Sequence, residues 1–522
     1  MFQEIIMAIT STNTFFETVD NLGVSGKEMP IELGTAYYGT LLSVINDDYV
    51  DYSDIFSFRA EEDGYYRLSW EFSRPGVSVQ VYGQTKDAYI SMFDAHAAAE
   101  DEFLIPMEAG FIYSIRIFKP VGSTGMLEYG FDLLPSDVPA TVEDDVMVGH
   151  AGFEYLFGFS GNDTIYGLGG IDRIYSGEGN DHVFGGNGPD LITDRHGENT
   201  LVGGKGDDVI ATSSSSDGAR NLLIGNQGAD SFNIQGNSGS ATIYGGEGAD
   251  MVSTSGGQYR TDKVWLGNAR DAFRGIIQEG SSVEAYGGRG DDWIALSVSA
   301  FRDQETGELI YDDIGHVVIY GGIGDDTMAG VGNLYGGEGQ DSLTSQGRGL
   351  AEFNRLFGGQ GADTIFAARH GENLGDMVHG GIGNDELHGA AGRDTLDGGL
   401  GKDTIHGSNG RDRILLGEDG RAQDVVIYTH VSQSSSGHGL DRIRGFTSGI
   451  DVLDFEEIDA SDTAEGNQIL LYGGETALAN GLWHQLVDGD THVFLDVDGD
   501  ALADMQVILK GVTTVGEGDF IL

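Results

Sequence analysis

The sequence predicts an all-β protein: an N-terminal β-sandwich, a long solenoid of short stacked coils, and a C-terminal β cap. Three observations lead there. A nine-residue unit rich in glycine and aspartate recurs through the middle of the chain. Short runs of alternating apolar residues precede it. A different set of apolar runs follows where the glycine repeat fades. With 522 residues the chain is long enough for several domains and a substantial buried interior.

Residues 1–27 read as an N-terminal extension. From 28 to 134 the apolar residues alternate: Tyr66, Leu68, Trp70, Phe72; then Val77, Val79, Val81; then Phe111, Tyr113, Ile115, Ile117; then Leu127, Tyr129, Phe131, Leu133. Period-two runs separated by turn residues are half-buried antiparallel strands, and a small β-sandwich is the architecture that buries their apolar faces. Six of the seven prolines lie before residue 140, and Pro135 and Pro139 mark 135–148 as a linker. The segments DYVDYSDIFSFRAEEDGYYRLSW, MEAGFIYSIRIF and YGFDLL together resemble the pre-peptidase C-terminal (PPC-like) sandwich module. That resemblance implies a non-catalytic accessory domain.

From 149 to 423 the unit is G-G-x-G-x-D-x-U-x, with U a large apolar residue. Copies include GGNGPDLIT (185–193), GGKGDDVIA (203–211), GGEGADMVS (245–253), GGRGDDWIA (287–295), GGIGDDTMA (321–329), GGQGADTIF (358–366) and GGLGKDTIH (398–406). The glycines suit a tight turn that aims main-chain carbonyls and one carboxylate at a common point. Calcium is a hard cation that takes six to eight oxygen ligands, so this donor set suits it. Aspartate, with its short stem, keeps the carboxylate close to the turn. The last residues, D-x-U, begin a strand whose U side chain faces inward, as at Ile165, Ile174, Val183, Ile192, Ile210, Ile405 and Ile414.

Charge points the same way. There are 84 acidic residues against 28 basic ones, a formal net charge of −56. Such charge opposes compaction unless cations neutralise it, and it excludes a nucleic-acid partner, which needs basic patches. About one divalent ion per turn over fifteen turns would bring roughly +30.

The unit resembles the calcium-binding nonapeptide of RTX (hemolysin-type) proteins. The resemblance implies a parallel β-roll or β-helix solenoid with Ca2+ between the turns of neighbouring coils. The implied metal ligands are Asp163, Asp172, Asp181, Asp190, Asp208, Asp230, Asp250, Asp292, Asp326, Asp341, Asp363, Asp385, Asp394, Asp403 and Asp412. Glu154 and Asn199 stand where aspartate belongs, so sites using those turns are expected to be weak or absent. Between Asp208 and Asp385 the nine-residue interval gives way to longer steps, with Asp271 inside the degenerate stretch LGNARDAF. This predicts a wider central solenoid of coils with an extra strand (LLIG, ATIYG) and one row of calcium turns, against two rows in the flanking rolls.

Residues 424–522 carry DVVIY, DRIRGF, GIDVLDFEEID and a terminal DFIL. These resemble the C-terminal cap and type I secretion signal of serralysin-type exoproteins. The resemblance implies a secreted, extracellular bacterial protein that engages type I secretion machinery. The N-terminal MFQEIIMAITSTNTFFETVD has no basic n-region or sustained apolar core, so no cleaved signal peptide is expected. No apolar run reaches transmembrane length. There is no cysteine, which excludes disulfides and thiolate metal sites. In DVDGDALAD, Asp496, Asp498, Asp500 and Asp504 could gather an ion, although glycine sits at the fourth position where an EF-hand loop has it at the sixth. A polar turn of the cap is the other reading.

No catalytic residues are assigned. None of the thirteen histidines precedes a glutamate, so His-Glu-x-x-His zinc chemistry is excluded, and no G-x-S-x-G elbow occurs. His379, His388 and His406 read as solvent-facing strand residues. Two functions stay open. One is a non-enzymatic extracellular calcium-binding protein in adhesion, matrix or surface coating, with a glycan or cell surface as partner. The other is a polysaccharide-active lyase or epimerase using the 254–320 insertions, where Tyr259, Arg260, Asp262, Lys263, Arg270, Asp271 and Arg274 mix charges. Clustering of Arg260, Arg270 and Arg274 with carboxylates in one groove would favour the enzyme; dispersal would favour the binding protein.

Overall fold

The computed structural model describes residues 144–522 outside short loop segments, the longest being 461–467, and the strand backbones within 1–143. It divides into two units, Met1–Leu201 and Val202–Leu522. The described elements are strands with two short 3-10 turns, so the protein is all-β.

The first unit opens with two five-stranded sheets. One runs Asn13–Phe16, Thr35–Ser43, Gly125–Pro135, Gly64–Phe72, Glu100–Met107, and the other Glu28–Pro30, Ser53–Arg59, Ile112–Phe118, Val77–Gln84, Tyr89–Ala97. Pairing is antiparallel except at the first strand of each sheet. The alternating runs centred on Leu68, Val79, Ile115 and Phe131 supply four of these strands.

A parallel solenoid follows, with two strands per coil. Strands Thr164–Gly169 and His182–Asn187 stack in what we call sheet 1, with Thr164 opposite His182. Strands Arg173–Tyr175 and Leu191–Asp194 stack in sheet 2, with Ile174 opposite Ile192. Two nonapeptides therefore make one 18-residue coil. The sheet-1 strand Val146–Val148 already pairs with Thr164–Tyr166, so coil pairing begins just inside the stretch read as linker.

The second unit has the same two-sheet pattern. Most solenoid strands alternate inward and outward side chains, and the inward ones form the core. Sheet 1 contributes Leu223, Ile243, Val264, Ala285 and Ile319; sheet 2 contributes Ile210, Phe232, Val252, Phe273 and Ile294, all fully buried. Burying a large apolar side chain contributes about 1.5–3 kcal/mol, so the narrow core gains stability with every coil. The U residues Ile165, Ile174, Val183, Ile192, Ile210, Ile405 and Ile414 are all inside, as expected.

The central coils differ from expectation in one respect. Among the described residues, LLIG and ATIYG do not form a third strand. LLIG lies within the sheet-1 strand Arg220–Gln227 and ATIYG within Ser240–Glu247. The additional residues lengthen both strands and extend the turn from sheet 2 back to sheet 1. Within the 254–320 stretch, that turn carries a small antiparallel ribbon of Phe301–Arg302 and Leu309–Ile310. An insertion costs least on the edge where nothing else depends on turn geometry.

Parallel stacking continues past residue 423 through Val425–Ile427, Asp441–Arg444 and Val452–Asp454. The antiparallel strands Gly481–Val487, Asp490–Leu495 and Met505–Leu509 then close sheet 1, the last pairing with Asp441–Arg444. Phe520–Ile521 closes sheet 2 against Val452–Asp454. The C-terminal end of each sheet is thus covered, which a solenoid needs at its terminus.

Candidate metal centre

The turn from Gly245 to Asp250 shows how the repeat builds its site. Gly246 and Gly248 take φ of 121° and 123°, which glycine adopts freely and other residues do not. A Cβ on Gly246 would lie 2.3 Å from the Asn226 carbonyl oxygen of the preceding coil. The turn places the Asp250 carboxylate beneath Gly245. Its Oδ1 accepts the main-chain N–H of Asp230 at 2.8 Å, and the Asp250 N–H donates to Asp271 Oδ1 at 2.7 Å.

The same bond repeats from coil to coil. In the second unit it links Asp208, Asp230, Asp250, Asp271, Asp292, Asp326, Asp341, Asp363, Asp385, Asp403, Asp424 and Asp451 in one unbroken ladder, each step between 2.7 and 3.0 Å. All of them lie on the edge leading from sheet 1 to sheet 2. In the first unit that edge holds Glu154, Asp172 and Asp190. The opposite edge there holds Asp145, Asp163, Asp181 and Asn199.

In the second unit the opposite edge is interrupted. Ala219, Arg260, Ser281 and Asn354 occupy its equivalent positions before aspartate returns at Asp376, Asp394, Asp412 and Asp441. The central coils therefore carry one carboxylate row. Along this edge second oxygens are engaged within the protein: Asp376 Oδ2 accepts from the Ser345 hydroxyl and the Ala368 N–H, Asp394 Oδ2 from the Ala390 N–H and Asp441 Oδ2 from the Tyr428 hydroxyl.

The second carboxylate oxygen is the feature that calls for a cation. The Oδ2 atoms of Asp163, Asp172, Asp181, Asp230, Asp250, Asp271, Asp292, Asp326, Asp341, Asp363, Asp385 and Asp412 are buried and accept no hydrogen bond. Glycine keeps a space open beside each. A Cβ built on Gly225, Gly245, Gly287, Gly321, Gly336, Gly358 or Gly380 would lie 2.1–2.4 Å from the nearby Oδ2 and 2.3–2.7 Å from a carbonyl oxygen of the next coil. Carboxylate and carbonyl oxygens thus converge there without nitrogen or sulfur donors, which fits calcium.

The electrostatics agree. Burial pushes the carboxyls of Asp163, Asp172, Asp250, Asp271, Asp326, Asp341 and Asp385 up to about 7, and carboxylates in adjacent coils add to the rise. Asp230 and Asp292 rise to about 6 for the same first reason. At the C-terminal end burial, with Asp441 close by, lifts Asp412 to about 10. A divalent ion among these groups would favour their ionised form.

The degenerate turns have distinct structures. Glu154 reaches with its longer side chain into the space over Gly149, where its Oε2 accepts no hydrogen bond. Asn199 completes the ladder through Oδ1, and its NH2 is committed to Asp194 and the His196 carbonyl. It brings no second carboxylate oxygen. Arg260 goes further. It is buried in the aspartate position, and its guanidinium pairs at 3.0 Å with Asp262, which occupies the inward position of the same strand. A side-chain cation thus sits on the edge that lacks the aspartate row.

The mixed-charge residues of the insertions are dispersed. Arg260 is inside on one edge, while Arg270 is exposed in the turn before Asp271 on the other. Arg274 is exposed on the outer face of sheet 2, and Lys263 pairs with Glu284 on sheet 1. Tyr259 lies outside the described residues. Sequence reading did not assign Asp271, Asp376, Asp424, Asp441 or Asp451 to the site, because none follows a complete glycine turn. Each nevertheless keeps the D-x-U ending: Asp271-Ala-Phe273, Asp376-Met-Val378, Asp424-Val-Val426, Asp441-Arg-Ile443 and Asp451-Val-Leu453.

Fold and site together define a parallel β-solenoid whose turns bring together carboxylate and carbonyl oxygens of the kind hard cations take. The sequence family called RTX calcium-binding nonapeptide repeat (4 copies) matches residues 142–174, 157–192, 197–232, 224–259, 305–332, 348–369 and 371–418. The chain therefore carries RTX calcium-binding nonapeptide repeats, and Ca2+ is its cofactor.

Solved structures resemble parts of it. The pre-peptidase C-terminal domain of a Bacillus anthracis collagenase aligns at 16% identity over 20% of this chain and 94% of that one, with a TM-score of 0.17. The AlgE6R3 subunit of the Azotobacter vinelandii mannuronan C5-epimerase aligns at 23% identity over 34% and 86%, TM-score 0.13. The catalytic domain of a GH87 α-1,3-glucanase aligns at 10% identity over 77% and 86%, TM-score 0.25. No curated relative matches the chain. No helix among the described residues is long and apolar enough to cross a membrane.

Proposed function

We propose that this is an exported protein that folds on meeting extracellular calcium and then serves as a non-enzymatic adhesion, matrix or surface component. The observation that carries this reading is the ladder of buried carboxylates from Asp208 to Asp451, most with an oxygen that no donor satisfies. Without cations such a stack is self-repelling. Where free calcium is scarce, the repeats stay unfolded and fit for passage through type I secretion machinery. Outside, sites of the strength usual in extracellular modules, about 10⁻⁴–10⁻³ M, fill and drive folding by mass action. The fifteen aspartates named from the sequence act as its ligands, joined by Asp271, whereas the second oxygens of Asp376, Asp441 and Asp451 accept hydrogen bonds instead. The dispersal of Arg260, Arg270 and Arg274 supports a binding role over polysaccharide catalysis.

Calcium titration followed by far-UV circular dichroism, with calorimetry to count ions, tests this. A cooperative gain of β-structure with on the order of ten or more ions is expected. A spectrum that is unchanged between chelator and calcium would overturn the reading.

A further inference from the structure

The cap contains an acidic loop apart from the ladder. Between strands Asp490–Leu495 and Met505–Leu509 the chain runs Asp496-Val-Asp498-Gly-Asp500-Ala-Leu-Ala-Asp504. One carboxylate oxygen from each of Asp496, Asp498 and Asp504 lies within 4.8 Å of the others. Asp498 and Asp500 are exposed, but Asp496 is fully buried. Its Oδ1 accepts the main-chain N–H groups of Asn480 at 2.7 Å and Gly499 at 2.9 Å. Its Oδ2 is buried and accepts none. An ionised oxygen in that position is costly unless a cation meets it.

The backbone supplies an independent argument. An EF-hand loop draws ligands from positions 1, 3, 5, 7 and 9 and turns sharply at position 6, where it has glycine. Counting Asp496 as the first residue, Asp498, Asp500 and Asp504 are the third, fifth and ninth. The sixth residue is Ala501, and it takes φ of 63°. The loop thus makes the sharp turn without the glycine that would ease it. Around it, the Asp500 N–H donates to Asp498 Oδ1 at 3.1 Å, the Leu502 N–H to Asp500 Oδ1 at 2.7 Å and the Val497 N–H to Asp504 Oδ2 at 2.8 Å. The twelfth position is the buried Val507, so the bidentate glutamate of an EF-hand has no counterpart.

We propose that Asp496, Asp498, Asp500 and Asp504 hold one calcium ion, separate from the carboxylate rows. Asp504 immediately precedes the strand Met505–Leu509, which joins the cap hairpin to Asp441–Arg444 of the solenoid. An ion here fixes where that strand begins, so closure of sheet 1 depends on calcium through its own site.

The test compares the full chain with the double variant Asp498→Asn/Asp500→Asn, whose exposed side chains leave the core untouched. Calcium-saturated protein is analysed by hydrogen–deuterium exchange, with residues 496–504 and the ladder segment 321–345 read separately, and by equilibrium dialysis with elemental analysis. The variant is expected to bind one ion fewer and to lose calcium-dependent protection at 496–504 by at least about tenfold, with 321–345 unchanged. The single variant Asp498→Asn should weaken the loop in the same direction. An unchanged ion count, or loop protection equal in variant and wild type, would overturn the site. A ladder segment that ignores calcium would count against the carboxylate rows and leave the loop to be judged on its own exchange.

Discussion

The main-chain N–H of Asp271 donates to Oδ1 of Asp292 at 2.8 Å, while Oδ2 of Asp292 is buried and has no donor. Each aspartate arranged like Asp292 thus has two separable tasks. One oxygen satisfies an amide of the preceding coil, and the other offers an ion its charge. Substitutions that keep one task and remove the other should therefore give different results.

Asp292→Asn retains an acceptor for the Asp271 amide and places a neutral group where Oδ2 stands. It should raise the calcium concentration needed for folding while preserving the fold once calcium is saturating. Asp292→Ala leaves that buried amide unsatisfied as well, at a cost of about 1–3 kcal/mol even with calcium saturating. Urea unfolding of both variants at high and low calcium separates the two effects. Equal losses would show that the two oxygens do not divide the work.

The glycine over each carboxylate gives a second handle. Gly245→Ala would put a Cβ 2.3 Å from Asp250 Oδ2 and 2.3 Å from the Leu266 carbonyl oxygen, filling the space where those oxygens converge. It should abolish calcium binding at that turn. Gly518→Ala, where a Cβ meets nothing within 4 Å, is the control and should leave the calorimetric ion count unchanged.

Without calcium, acid should partly replace the ions, because what folding tendency remains falls as pH rises. In the folded chain burial holds Asp172, Asp250 and Asp326 at about 7, against about 3.9 for an aspartate in an unfolded chain. Between those values the folded state binds protons that the unfolded state has released. The associated stability is fully present below about pH 4 and lost as pH rises through about 7. Easing of the overall negative charge in acid acts in the same direction. In chelator, far-UV circular dichroism should therefore show more β-structure near pH 5 than near pH 8, and calcium should remove the difference. A β-signal in chelator that rises with pH would contradict this.

Much of this was legible in the sequence because the repeat encodes the turn and the inward residue together. GGEGADMVS states the positive-φ glycines, the carboxylate and the buried Val252 in nine letters. The central coils were harder. Their added length suggested an additional strand, whereas strands such as Arg220–Gln227 simply grow and the surplus becomes loop on one edge. The ladder also reaches Asp376, Asp424, Asp441 and Asp451, where the glycine pair is gone. Stacking requires only a short carboxylate followed two residues later by an inward apolar side chain. The glycines serve the ion space and the tight turn, so a search keyed to them stops too early.

Arg260 and Asp262 test whether a coil edge can dispense with calcium. Arg260 takes the position that aspartate holds elsewhere in the row, and Asp262 replaces the inward apolar residue. Burial raises the Asp262 carboxyl while the Arg260 guanidinium pulls it back down. The pair is therefore a fixed cation and anion where the regular turns present a carboxylate with a second oxygen open to an ion. Arg260→Met removes the cation and leaves Asp262 buried beside apolar neighbours, which should cost about 3–5 kcal/mol. Saturating calcium should not restore that loss, because a single buried carboxylate lacks the converging oxygens of the glycine turns. The double change Arg260→Met/Asp262→Val, which returns an apolar residue to the inward position, should recover only part of it, because the buried Ala241 N–H that donates to Asp262 Oδ1 at 2.9 Å is left without an acceptor. Urea unfolding at two calcium concentrations decides the matter: if calcium alone rescued Arg260→Met, this edge would hold an ion after all.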